Sequence, residues 1–153
     1  MKTINRLLVL LMLAVPFVGF TGCKKDKGDT KSIAGTYNGS LVNQTMGINI
    51  QNVDITVTYV SEKKVTLSLN ETLSVATVPG LPAPTIPFSV SCECDVAYAD
   101  GKYSLTGSTQ AALGAFKVTV KDSVIDGSGN ANLKITPTVM TLPIELTFVG
   151  KKK

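Results

Sequence analysis

The chain has 153 residues, a formal net charge of +4, no histidine and no tryptophan. The missing histidine removes the commonest general base and the commonest metal ligand. The positive charge lies outside the main body: Lys2 and Arg6 near the start, Lys24, Lys25, Lys27 and Lys31 just after it, and Lys151, Lys152 and Lys153 at the end. No basic face is left to attract nucleic acid, so that class of partner is excluded.

The first element is a leader. Lys2 and Arg6 precede an almost wholly apolar run from Leu7 to Phe20. That run has the length of a secretory h-region and falls short of the ~20 residues a spanning helix needs. It ends in Phe20-Thr21-Gly22-Cys23, which resembles the bacterial lipobox, an aliphatic residue, two small residues, then Cys, with Phe20 departing from the aliphatic first position. The resemblance implies residues 1–22 as a signal peptide, with lipidation of Cys23 and cleavage before it. Lys24 to Ser32 is polar and cannot offset its own ordering entropy, so residues 23–32 are expected to form a flexible tether. The expected location is the cell envelope, anchored to a membrane through the lipid on Cys23. Lys24 in place of Asp after Cys23 favours the outer membrane over retention at the inner one.

From residue 33 to 153 the apolar period is two, which predicts one all-β domain. Strands are expected over Tyr37–Val42, Val53–Tyr59, Val65–Leu69, Phe88–Tyr98, Lys102–Thr109, Phe116–Lys121, Leu133–Ile135 and Ile144–Phe148. Ser61-Glu62-Lys63, Asp100-Gly101 and Gly127-Ser128-Gly129-Asn130 read as turns between them. Val78 to Pro84 reads as a long proline-rich loop, and Thr109 to Ala115 as one helical turn at most. About eight strands in sequential hairpins predict an antiparallel up-and-down β-barrel, which leaves no free edges. A Greek-key β-sandwich is the alternative.

Gly35-Thr36-Tyr37-Asn38-Gly39 resembles the first strand of the calycin-like (lipocalin-like) β-barrel lipoproteins. Asn130-Ala131-Asn132-Leu133 and the closing stretch Ile144 to Gly150 are similar to the late strands of that family. Tyr37 stands where true lipocalins carry Trp. The resemblance implies a compact barrel on a lipid anchor, with no activity attached.

Three motifs invite chemistry. Cys92-Glu93-Cys94 suits a soft metal or a redox pair, but no histidine or further domain cysteine completes a four-ligand site. Both cysteines continue the apolar face of Val90, so buried free thiols are expected, with a local disulfide as the alternative. Asp126-Gly127-Ser128-Gly129-Asn130 opens like a calcium loop, yet Pro137 occupies the twelfth position where a bidentate Glu belongs. A glycine-rich hairpin turn is expected instead. Glu93 and Asp95 share a polar face and are expected to point to solvent, not to act as an acid–base pair.

No catalytic, cofactor or metal residue is therefore assigned, and the chain is read as a non-enzymatic module with a largely packed core. Val53, Ile55, Val57, Val65, Leu67, Leu69, Phe88, Val90, Phe116, Val118, Ile144, Leu146 and Phe148 are the expected inward set, with at most a narrow slot near Tyr37 and Tyr59. An envelope protein is a possible partner of such a module. The alternative is a carrier holding a small apolar ligand in the barrel.

Overall fold

The computed structural model describes residues 28–74, 85–110, 116–139 and 141–153. After a short 3₁₀ turn at Thr30–Ile33 come β1 (Gly35–Asn43), β2 (Ile48–Ser61), β3 (Lys64–Ser74), β4 (Thr85–Ala99), β5 (Lys102–Gln110), β6 (Phe116–Asp126), β7 (Asn130–Val139), β8 (Leu142–Pro143) and β9 (Leu146–Lys152). Every pairing is antiparallel, in the order β6-β5-β4-β3-β2-β1-β9-β7. A further β6–β7 ladder, from Phe116↔Val139 to Ile125↔Ala131, closes the ring. Eight staves thus make an up-and-down barrel. Strands adjacent in sequence pair directly, so the Greek-key alternative does not apply. The two-residue β8 only folds back on β7.

The last stave is interrupted where the alternation predicts continuous strand. Ile144 is partly buried against the core and donates its backbone N–H to the Pro137 carbonyl at 2.8 Å, and β8 and β9 pair with β7 in one register on either side of it. Pro137 is the reason for the gap: it stands opposite Ile144 and has no N–H to return that bond. Thr85 to Pro87, at the end of the expected loop region, belong to β4 and pair with Ser74 to Thr72. Residues 75–84 and 111–115, where the proline-rich loop and most of the helical turn were expected, lie outside the described residues; Thr109 and Gln110 are in β5.

The turns 62–63, 100–101 and 127–129 lie together at one end of the barrel, here called the base. Asp100 (φ 52°) and Gly101 (φ 74°) adopt the paired left-handed conformations of a two-residue hairpin, as the Asp-Gly dipeptide predicts. Elsewhere the ring bends through bulges. Asn52 (φ 61°) interrupts the β1–β2 register and Asp122 (φ 49°) the β6–β7 register. Both residue types tolerate the left-handed region, and each bulge sharpens local twist.

Inward and outward residues follow the predicted alternation. Val53, Ile55, Val57, Val65, Leu67, Leu69, Val90, Val118, Leu146 and Phe148 are buried. Phe88 is only half-buried, and the Phe116 side chain lies outside the described ones. Tyr37, Leu41, Tyr103, Leu105, Val120, Ile125, Leu133 and Ile135 complete the core.

Large and small inward residues are matched across β1 and β9. Gly39 faces Gly150, which in turn faces Ala131. A Cβ at Gly150 would collide with the Phe148 ring, and one at Gly39 with the Val149 carbonyl oxygen. Gly150 makes the room that the Phe148 ring fills, Gly39 lets the β9 backbone approach β1 closely, and Tyr37 and Phe148 are both completely buried. Gly39→Ala is therefore expected to destabilise the barrel by about 1–3 kcal/mol through overpacking against backbone that cannot yield. Leu67→Ala is expected to cost about 2–5 kcal/mol through an internal void. Urea denaturation of both variants checks the pair.

Candidate functional site

The interior is the first place to look for a ligand. Leu41, Val53, Ile55, Val65, Cys94, Leu105, Ile125, Leu133 and Phe148 all have 0% of their surface accessible. A cavity large enough for water along the axis would leave part of those side chains accessible. Among the described residues, no buried side-chain polar atom lacks a hydrogen-bond partner, so none waits for a ligand's polar group. The larger hollows are external. One of about 710 Å³ runs along the wall past Asn38, Gln51, Asn130 and Lys151, and another of about 380 Å³ lies beside Asn43 and Glu145.

The base of the barrel is closed by the chain itself. Asp29 caps the 3₁₀ turn by accepting from the Lys31 N–H at 3.0 Å. Thr30 and Ile33 are each 2% exposed. The Thr30 hydroxyl donates to the Glu62 carbonyl, and the Ser32 hydroxyl meets the Tyr103 hydroxyl at 2.9 Å. Tyr103 also reaches the Asp29 carbonyl at 3.3 Å, and Lys152 Nζ donates to the Ser32 carbonyl at 2.7 Å. Lys31 lies over the Tyr59 ring, 5.3 Å from its centre. Gly28 sits so close to Tyr98 and Tyr103 that a Cβ there would enter the Tyr98 ring. All four tyrosines of the chain thus gather around this plug. Residues 28–33 pack over the barrel end where a slot near Tyr37 and Tyr59 was expected, and a hollow of about 280 Å³ remains there beside Ile33, Tyr37, Asp126 and Lys152.

The expected tether is shortened accordingly. Asp29 to Ser32 are docked, not free: the Thr30 and Ser32 hydroxyls find partners at Glu62 and Tyr103, and the Asp29 carbonyl accepts from Tyr103. Residues 1–22 and the lipidation candidate Cys23 lie outside the described residues, as do residues 24–27.

Tyr37 is the innermost contact of the plug. Its hydroxyl donates to the Ile33 carbonyl at 2.8 Å. Burial pushes the phenol up to about 12, and the charge of Asp126 adds to the effect.

The Cys-x-Cys pair lies on the inner face of β4. Cys92 and Cys94 are both buried and free. Each thiol donates weakly to a backbone carbonyl, Cys92 to Glu93 at 3.6 Å and Cys94 to Cys92 at 3.7 Å. The hydrogen bond to Cys92 and then burial push the Cys94 thiol upward, so it keeps its proton. A protonated, buried thiol is a small hydrophobe, neither nucleophile nor metal ligand. Among the described residues no cluster of three or more His, Cys, Asp or Glu side chains could hold a metal ion. Glu93 and Asp95 are exposed, and Glu93 pairs with Lys64.

The Asp126 loop is a self-satisfied turn. Asp126 Oδ1 accepts from the N–H groups of Ser128 and Asn130, both at 2.9 Å, and Oδ2 from Asn130 Nδ2 at 2.8 Å. The Asn130 side-chain and backbone bonds hold its carboxyl below the usual range. Its oxygens are committed to the hairpin.

The outward wall is polar: Thr56, Thr58, Asn70, Ser91, Glu93, Lys117, Lys121, Asn132 and Lys134 are exposed. A barrel that spans a bilayer needs an apolar outer band ~25 Å tall. This wall has none among the described residues.

No protein-family model matches the chain, and no curated protein is significantly similar to it. Two solved structures resemble it. The first is a candidate outer membrane protein of Bacteroides fragilis, at 17% identity over 81% of this chain and 52% of that one, with a TM-score of 0.51. The chain thus spans about half the length of that structure. The second is the siderocalin Ex-FABP, described as functioning through dual ligand specificities, at 13% identity over 80% of this chain and 74% of that one, with a TM-score of 0.43. At these identities the likeness concerns the fold. The chain is a closed ring of eight sequential antiparallel staves, an up-and-down β-barrel.

Two outcomes follow. Tyr37→Phe leaves the Ile33 carbonyl without its partner and should cost about 1–3 kcal/mol, read by urea denaturation. Because folding raises this phenol's pKa, its contribution is complete below the unfolded value of 10.0 and is lost as pH rises toward about 12; base titration of stability should show that loss in the native chain and less of it in Tyr37→Phe. Cys92 and Cys94 should resist alkylation in the native protein and both react once it is denatured without reductant. A mass two hydrogens lighter with no labelling would show a disulfide instead.

Proposed function

We propose that this chain is a lipid-anchored, non-enzymatic β-barrel module of the cell envelope, held at the outer membrane by acyl chains on Cys23. It works through contacts of its surface, with an envelope protein as the partner class, and carries no cargo in its core. The observation that supports this reading is a barrel filled by its own side chains and plugged at the base by residues 28–33. A polar outer wall suits a domain that stands beside a membrane rather than within it. Buried acyl chains contribute ~0.8 kcal/mol per methylene, far more than the ~1 kcal/mol each that Lys24 and Lys25 gain near an anionic leaflet. The lipid is then the anchor and the lysines are secondary.

Cys23→Ala is the test. The variant should accumulate as an unprocessed precursor that takes up no labelled fatty acid, while the native chain is acylated and shortened to begin at Cys23. Normal processing with cleavage at another position would reject the anchor.

A further inference from the structure

The plug has a consequence for how such a module stands on a membrane, an inference that rests on the proposed acylation of Cys23. We propose that the plugged base is the face set against the bilayer, and that the opposite end, with the turn 44–47 and Leu142, points away from it.

Chain length decides the matter. The nine residues of β1 span ~30 Å at 3.3 Å each, or about 23 Å along the barrel axis at a stave tilt near 40°. If everything between Cys23 and Gly35 were free, its full extension of about 42 Å would exceed that height and allow either end to meet the lipid. Gly28, however, is already wedged against Tyr98 and Tyr103. From Cys23 to Gly28 the chain reaches about 17 Å at most, less than the barrel is tall. Inversion is excluded by length alone.

Charge points the same way only weakly. Lysines and carboxylates balance around the base: Lys153 pairs with Asp54 and Lys64 with Glu93, and the exposed Lys31, Lys63 and Lys102 stand among Asp29, Glu62 and Asp100. Orientation should therefore not depend on anionic lipid or on salt, unlike that of a domain held by a basic patch.

The opposite end differs in chemistry. The turn Gln44-Thr45-Met46-Gly47 carries no charge, and Met46 (58%) and Leu142 (70%) are among the most exposed large apolar residues. The leash presents this less charged end outward.

The experiment uses the acylated full-length product in phosphatidylcholine vesicles that contain a headgroup spin label. A fluorophore is attached at Ser128→Cys on the base or at Thr45→Cys on the far end; the native domain thiols are buried and stay unlabelled. The inference expects loss of emission at 128 and none at 45, unchanged by added salt or anionic lipid. A Gly-Ser insertion after Lys27 about twelve residues long, adding ~20 Å of root-mean-square reach, should remove the difference. Equal quenching at both positions without the insertion, or stronger quenching at 45, overturns the orientation while leaving the anchor intact. A product that carries no acyl mass and does not float with the vesicles overturns the anchor and the orientation with it.

Discussion

The structure depends on seating one phenol. Tyr37 enters the barrel between Gly35 and Gly39, and its hydroxyl ends on the carbonyl of Ile33. The ring is completely buried in the core. The hydroxyl needs a partner in a low-dielectric interior, where an unpaired group costs about 1–3 kcal/mol. A carbonyl four residues earlier can reach it only if the chain folds back over the base. One hydrogen bond thus couples core packing to barrel closure. The surrounding contacts then follow: Thr30 on the turn after β2, Ser32 and Asp29 on Tyr103, and Lys152 on Ser32.

The glycines around Tyr37 have structural roles of their own: Gly35 adopts a positive φ (143°) beside the Lys152 side chain, and Gly39 lets the β9 backbone pass close by. On the adjoining stave Gly150 yields its side-chain space to the Phe148 ring. An interior settled this way holds side chains with no accessible surface and no unpaired polar atom among the described residues.

Much of this was legible in the sequence. Period-two alternation placed the staves and most of the inward set, because each stave has one buried and one solvated face. The Asp-Gly turn and the buried register of Cys92 and Cys94 followed from local rules. The gap in the last stave at Ile144 did not, since it is set by Pro137 on the facing stave, which has no N–H to give back. The plug was the larger omission. Asp29 to Ser32 are polar and read as solvated, but their partners are Glu62 and Tyr103, far along the chain. No local period encodes such contacts. The available signals were an N-cap aspartate before Thr-Lys-Ser, and Ile33 four residues ahead of Tyr37.

The central claim is that the barrel is filled by its own chain. Native mass spectrometry of the protein, released gently from its own membrane, tests it most directly. The account predicts a single species at the mass of the processed, acylated chain, with nothing further released on denaturation. A stoichiometric apolar molecule that rides with the folded protein and leaves on unfolding would contradict it and make the barrel a carrier.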